Sequence, residues 1–107
     1  MIRMKTVALY VTASNKKEAK KIGAMIVKER LAACANIVDK IQSVYWWKSK
    51  LEQGAESLLV LKTKQSLAKK AIKRIKAIHS YDCPCITVLP IVGGNSAFLQ
   101  WIADETR

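Results

Sequence analysis

The sequence predicts one α+β domain, and three observations carry that reading: segments in which apolar and other residues alternate, two lysine-backed stretches of helical period, and strands that are apolar on both sides. The third observation also predicts assembly, because one chain of this kind leaves a sheet face to cover. The chain has 107 residues, half hydrophobic and a quarter charged, with four Gly and two Pro. That is the composition of a single globular core spanning residues 1–107, with no segment resembling a linker.

Val7, Leu9 and Val11 alternate with Ala8, Tyr10 and Thr12, the period of a strand. Asn15 followed by Glu18 forms a capping box, which predicts a first helix running to about Leu31. Ala19, Ile22, Gly23, Ile26 and Val27 form its buried stripe, with Lys16, Lys17, Lys20, Lys21 and Lys28 mostly off it. From Ala33 to Trp47 the chain is rich in β-branched and aromatic residues, interrupted by Asp39 and Lys40, so one long strand with a bulge or bend is expected there. Lys48 to Glu56, with Gly54, reads as the turn of a hairpin, and Ser57 to Thr63 as the returning strand. A second helix follows from about Lys64, burying Leu67, Ala68, Ala71, Ile72, Ile75 and Ile78, with His79 at its end. Cys85 to Val92 is a fourth strand, Gly93 to Asn95 a turn, and Ser96 to Thr106 a short terminal helix. The order is βαββαβ plus a C-terminal helix, the ferredoxin-like sandwich with a long bent hairpin between its second and third strands.

In that topology both main helices cover one face of the sheet, and the other should be polar if it meets water. Leu58 to Leu61 and Val44 to Trp47 are apolar on both sides instead. Burying one large apolar side chain is worth about 1.5 to 3 kcal/mol, so further copies of the chain are the expected cover. The alternative is that the hairpin and terminal helix fold back over their own sheet.

Nineteen basic residues against eight acidic give a formal charge of +11, which attracts polyanions without specifying one. No stretch approaches the roughly 20 apolar residues of a membrane span, and Met1 to Lys5 does not open a secretory signal. The expected location is the cytoplasm, with no membrane partner. Cys34, Cys83 and Cys85 make an odd count, which predicts reduced thiols rather than a disulfide framework.

The sharpest local signal is His79 followed by Cys83, Pro84 and Cys85. An extended Cys-Pro-Cys sets both sulfurs on one side of the chain, and Pro84 biases Cys83 towards extended backbone. Two thiolates and an imidazole suit copper or zinc, and Cys34 joins the set if the fold brings it close. The competing reading makes these cysteines small hydrophobes. Tyr45-Trp46-Trp47 with Lys48 and Lys50 has the composition of a stacking platform for single strands, but adjacent strand residues point to opposite faces, so at least one of the two tryptophans belongs to a core or interface. His79 is the single histidine, and no nucleophile elbow, Walker loop or His-Glu-x-x-His motif occurs. No classical active site is expected, and no organic cofactor.

Six blocks, VALYVTASNKKEAKKI, ERLAACANIV, SVYWWKSKLE, LLVLKTK, IHSYDCPCI and LPIVGGNSAFLQWI, occur in an order and at spacings that make the chain similar, over essentially its whole length, to the CutA family of divalent-cation tolerance proteins. The resemblance implies a ferredoxin-like subunit in a tight homotrimer, PII-like in architecture, with clefts between subunits. It further implies a link to copper tolerance and to binding of copper or other divalent cations, with no catalysed reaction. It places Cys34, Asn36, Tyr45, Trp47, Lys62, His79 and Tyr81 in the inter-subunit cleft. One departure stands out: family members carry a small aliphatic residue and a glutamate on either side of the proline, where this chain has Cys83 and Cys85. The missing carboxylate disfavours a hard cation, and the added thiols favour a softer one. Three classes of function stay open: a metal-binding trimer, a PII-like signalling or adaptor module holding a small anion or peptide near Lys62, and a nucleic-acid binder resting on net charge.

Overall fold

Val7, Leu9 and Val11 point one way from the first strand and are almost fully buried, while Ala8 and Tyr10 on the other side are only half-covered. That inequality sets the architecture. The structure is a computed structural model that describes residues 5–107, so most of the Met1–Lys5 reading lies outside the described residues. Among them the order is β1 (Thr6–Ala13), α1 (Lys16–Lys28), β2 (Cys34–Trp47), β3 (Lys50–Lys64), a 3-10 turn (Gln65–Leu67), α2 (Ala68–Ile78), β4 (Ile86–Ile91) and α3 (Ser96–Asp104). The sheet order is β2-β3-β1-β4 with antiparallel neighbours, the ferredoxin-like arrangement.

The core lies between this sheet and α1 with α2. Leu9, Val11, Leu59 and Leu61 meet Ala19, Ile22, Ile26, Ala71 and Ile75 there. Gly23 allows α1 to approach closely, since a Cβ at that position would stand 3.0 Å from Leu59 Cδ1 and 3.1 Å from the Ala35 Cβ. Thr63 turns its hydroxyl into the same layer, and Oγ1 finds no hydrogen-bond partner among the described residues.

Asn15 caps α1 through its side chain, which accepts from the Glu18 N–H. The return bond of a capping box is shifted by one residue: Glu18 Oε1 accepts from the N–H and hydroxyl of Ser14, each at 2.9 Å. The helix ends at Lys28, three residues short of the expected Leu31. Arg30 takes the left-handed conformation (φ 63°), its N–H bonds to the Val27 carbonyl, and the Leu31 N–H reaches back to Ile26. That pair of bonds is a Schellman stop with arginine where glycine is usual. Arg30 is held there by Glu105 at 2.7 Å.

The hairpin departs from expectation at its tip. Lys48 (φ 49°) and Ser49 (φ 65°) alone make the turn, Trp47 pairs with Lys50, and Gly54 sits inside β3 opposite Ser43. A two-residue turn with both φ angles positive follows the twist of the flanking strands, so the tight hairpin forms without the usual Asn-Gly signal. The expected bulge is present: Val38 pairs with Leu58 but Ile41 pairs with Glu56, so Asp39 and Lys40 together oppose Ser57. The Ser57 hydroxyl, fully buried, donates to the Asp39 carbonyl and pins the irregularity.

This extra residue decides what the far half of β2 displays. Before the bulge Cys34, Asn36 and Val38 face away from the helices; after it Ile41, Ser43, Tyr45 and Trp47 do. Beyond β1, which pairs β3 only as far as Ala13–Ser57, the hairpin continues alone as an arm, and the molecule measures 49 × 25 × 22 Å. α3 packs against β3 and β1 rather than the helix layer, bringing Phe98 to Lys62. The terminal helix therefore covers part of the second sheet face, while the arm, Val38 and Leu89 stay uncovered.

Candidate functional site

The face turned away from α1 and α2, helix-free except where α3 covers one end of it, carries two clusters. The first lies beside α3, where Cys34 pairs with Lys62 across β2 and β3. Lys62 Nζ donates to Asn36 Oδ1 at 2.6 Å and stands 3.9 Å from Cys34 Sγ and 6.0 Å from the Phe98 ring centre. Three of the expected cleft residues thus meet in one place, around a cation without a carboxylate partner among the described residues.

The second cluster lies at the opposite end of β1. A groove of about 680 Å³ is walled by Tyr45 and Trp47 from the arm, Tyr10 and Thr12 from β1, Glu56 from β3, and Tyr81, Asp82, Cys83 and Cys85 from the segment between α2 and β4. Cys83 and Cys85 are free and exposed, and both line the groove, as the Cys-Pro-Cys geometry predicts. Tyr81 donates its hydroxyl to Glu56 Oε2 at 2.8 Å. Burial first, then this bond and the negative charge of Glu56, push the phenol well above its ordinary pKa, so it remains a donor.

Glu18 positions the Tyr81 segment. Its Oε2 accepts from the Ser80 N–H at 2.8 Å while Oε1 holds Ser14, so one carboxylate clasps the β1–α1 turn to the end of α2. Partial burial works to raise the carboxyl, but the bonds from Ser14 and Ser80 outweigh it and hold the pKa at about 2. His79 completes the clasp. Nε2 lies 2.8 Å from the Thr12 carbonyl, which can only accept, and Nδ1 accepts from the Tyr81 N–H at 3.0 Å. Both ring nitrogens are committed to the backbone. His79 is therefore a bracket for the loop, and in this arrangement neither ring nitrogen is left free beside the thiols of the expected four-residue metal set.

Cys34 is also separated from that set within one chain. It pairs through Lys62 with the level of Ala8, whereas Cys85 lies across from Thr12 at the other side of the sheet. Four residues of β1 and three strand spacings amount to roughly 20 Å. Among the described residues no three His, Cys, Asp or Glu side chains converge as a metal centre.

A family model described as CutA1 divalent ion tolerance protein matches residues 7–105. The chain belongs to the CutA1 family. A rice CutA1 crystal structure shares 45% identity and superposes with a TM-score of 0.93 over 96% of this chain and 94% of that one. The Thermus thermophilus Cut A1 structure shares 36% identity at a TM-score of 0.92, covering 95% and 99%. The divalent-cation tolerance protein CutA of Archaeoglobus fulgidus is 40% identical over 98 residues, 92% of this chain and 94% of its own length. The chain spans a little over half the length of the plant and animal relatives it matches, such as rice Protein CutA 1, chloroplastic (58%), and human Protein CutA (56%).

On the CutA1 fold the expected cleft set divides: Cys34, Asn36 and Lys62 at one cluster, Tyr45, Trp47 and Tyr81 at the other, with His79 bracing the Tyr81 segment. Sequence reading missed Tyr10, Glu56, Asp82 and Glu18 as members of this constellation. Tyr10 was legible as the outward residue of an alternating strand. Glu56 was hidden because it falls in the segment expected to be a turn, and only the true hairpin register brings it opposite Ile41 and under Tyr81.

Proposed function

We propose that this CutA1 protein is a cytoplasmic homotrimer whose helix-free faces meet, and that it captures soft metal ions through Cys83 and Cys85 at clefts between subunits. The observation that carries the reading is the pair of exposed, unbonded thiols flanking Pro84 in one groove. The description of the family, divalent ion tolerance, supports a metal role and names no reaction. Two thiolates without a third local ligand suit Cu(I) better than zinc, which takes four ligands. Zinc binding would need the neighbouring subunit to add donors. The uncovered apolar arm supports assembly, since Tyr45 and Trp47 on its helix-free face, and Val44, Trp46 (72% exposed) and Leu51 on its reverse, are left open among the described residues. Three free cysteines support a reducing compartment.

Titrating Cu(I) and Zn(II) into the reduced protein tests the site. Stoichiometric Cu(I) binding lost in Cys83→Ser/Cys85→Ser is expected, and equal, weak binding by both proteins would end the claim. Light scattering on the same samples tests the assembly, where a monomer would remove the trimer.

A second reading rests on Lys62, whose ammonium is held by Asn36 beside α3 without a counter-charge among the described residues. It makes the first cluster a PII-like anion or peptide site in a signalling or adaptor trimer. Retention of a small anion by the wild type but not by Lys62→Ala would favour it, and equal retention would dismiss it.

A further inference from the structure

α1 and α2 lie side by side on the face opposite both clusters, and together they hold ten lysine and arginine residues and one acid, Glu18. That acid is taken up by Ser14 and Ser80, and Arg74 is bonded to Glu29 at 2.9 Å. The other nine, all lysines, are exposed and have no carboxylate partner among the described residues. Ten of the 19 basic residues of the chain thus lie on these two helices.

Solvation alone does not account for a face of one sign. Glutamate would hydrate a helix as well as lysine does, and alternating signs four residues apart would stabilise it. Here Lys16 and Lys20, Lys17 and Lys21, Lys69 and Lys73, and Lys70 and Arg74 are all like-charged neighbours at that spacing. The helices carry mutual repulsion that an external anion would relieve. Lys69, Lys73 and Lys76 also line a shallow groove of about 260 Å³ with Ile72, three ammonium groups around one depression.

We propose that this helical face docks the phosphate backbone of double-stranded nucleic acid without reading its sequence. α1 is about 20 Å long, and along that distance a duplex presents on the order of ten phosphate charges, a density that nine free lysines can meet. The chemistry of the face selects among polyanions. No aromatic residue lies in α1 or α2, so unstacked bases have nothing to stack on. Among the described residues no exposed large hydrophobic residue belongs to α1 or α2; those that share their side of the sheet, Val44, Trp46 and Leu51 on the arm and Val88 in β4, stand outside the two helices, whose own surface has no apolar wedge for a bilayer. The surface stays free when the helix-free faces assemble, and it is independent of metal capture.

The test uses the full-length protein in chelator, with a short labelled DNA duplex followed by fluorescence anisotropy. Binding at about 50 mM salt should weaken at least ~10-fold by about 200 mM. Lys17→Gln/Lys21→Gln/Lys70→Gln/Lys73→Gln should lose a further ~10-fold or more and lower the slope of log affinity against log salt by roughly 3 to 4. Replacing the same lysines by arginine should retain binding, which separates lost charge from lost fold. Lys40→Gln/Lys48→Gln/Lys50→Gln/Lys64→Gln removes equal charge from outside the two helices and should stay within about twofold of wild type. The proposal is overturned by no duplex binding at the low salt, by equal losses in the two glutamine variants, or by preference for a single strand or for phosphatidylserine vesicles.

Discussion

The body of the sheet and the arm that projects from it are built from the same two strands, yet they solve the problem of apolar surface in opposite ways. In the body, β3 turns Leu59 and Leu61 into a layer closed by α1 and α2, and both are fully buried. Past the bulge the same strand pair leaves Val44, Tyr45, Trp46, Trp47 and Leu51 in the open. Neither composition nor strand propensity separates the halves; what differs is the presence of β1 and a helix alongside. A strand pair with one covered face stands in its own chain, and a bare two-stranded ribbon is marginal in water unless something packs on it.

The largest expected effect lies in the body. Leu61→Ala removes buried volume beside Leu9 and should cost about 2 to 5 kcal/mol of unfolding free energy by urea titration. A cost under about 1 kcal/mol would mean the layer is less closed than its burial indicates. On the arm, Trp46→Ser should leave the secondary structure of the subunit intact by circular dichroism while lowering the solution mass to that of a monomer. The lost burial is on the order of 1.5 to 3 kcal/mol for each copy. Persistence of the oligomer at wild-type affinity would show that the arm tip is not part of its interface.

A smaller effect is expected where the turn between β1 and α1 meets the end of α2. Glu18 has a folded pKa of about 2, below the ordinary 4.5, so its contribution to stability is complete above about 4.5 and disappears as the pH falls towards 2. Glu18→Gln should therefore destabilise at pH 7 by roughly 1 kcal/mol, less than the shift alone implies because solvent screens a partly exposed group. Thermal melts of the two proteins should converge at the acid end, and a difference that is constant with pH would refute the clasp. Smallest is a gain: Thr63→Val removes the unpartnered buried hydroxyl and should raise stability by about 0.5 to 1 kcal/mol in the same titration. A loss of stability would mean that Oγ1 has a partner.

The elements were legible because each is written in short-range pattern. Val7, Leu9 and Val11 announce β1, the stripe from Ala19 to Ile26 announces α1, and Asp39-Lys40 marks the break in β2. The hairpin tip was not, because Lys48-Ser49 carries no glycine to mark its two positive φ angles. Misplacing the turn displaced Glu56 from the groove. Cys83 and Cys85 were legible as a pair, since two residues about a proline fix their own geometry. Joining them to His79 and Cys34 required knowledge of distance and of competing hydrogen bonds, neither of which sequence proximity encodes.

The sequence by itself determined the order of elements, the family, the segregation of lysines onto two helix faces and the excess of apolar surface that demands a partner. These follow from residue type and period, which act over a few positions of chain. Only the tertiary structure decided that one extra residue at Asp39-Lys40 turns Tyr45 and Trp47 to the helix-free face, that α3 covers just one end of that face, and that both ring nitrogens of His79 bond the backbone. Those outcomes depend on which groups meet across the sheet, where a single-residue change of register reverses every side chain beyond it.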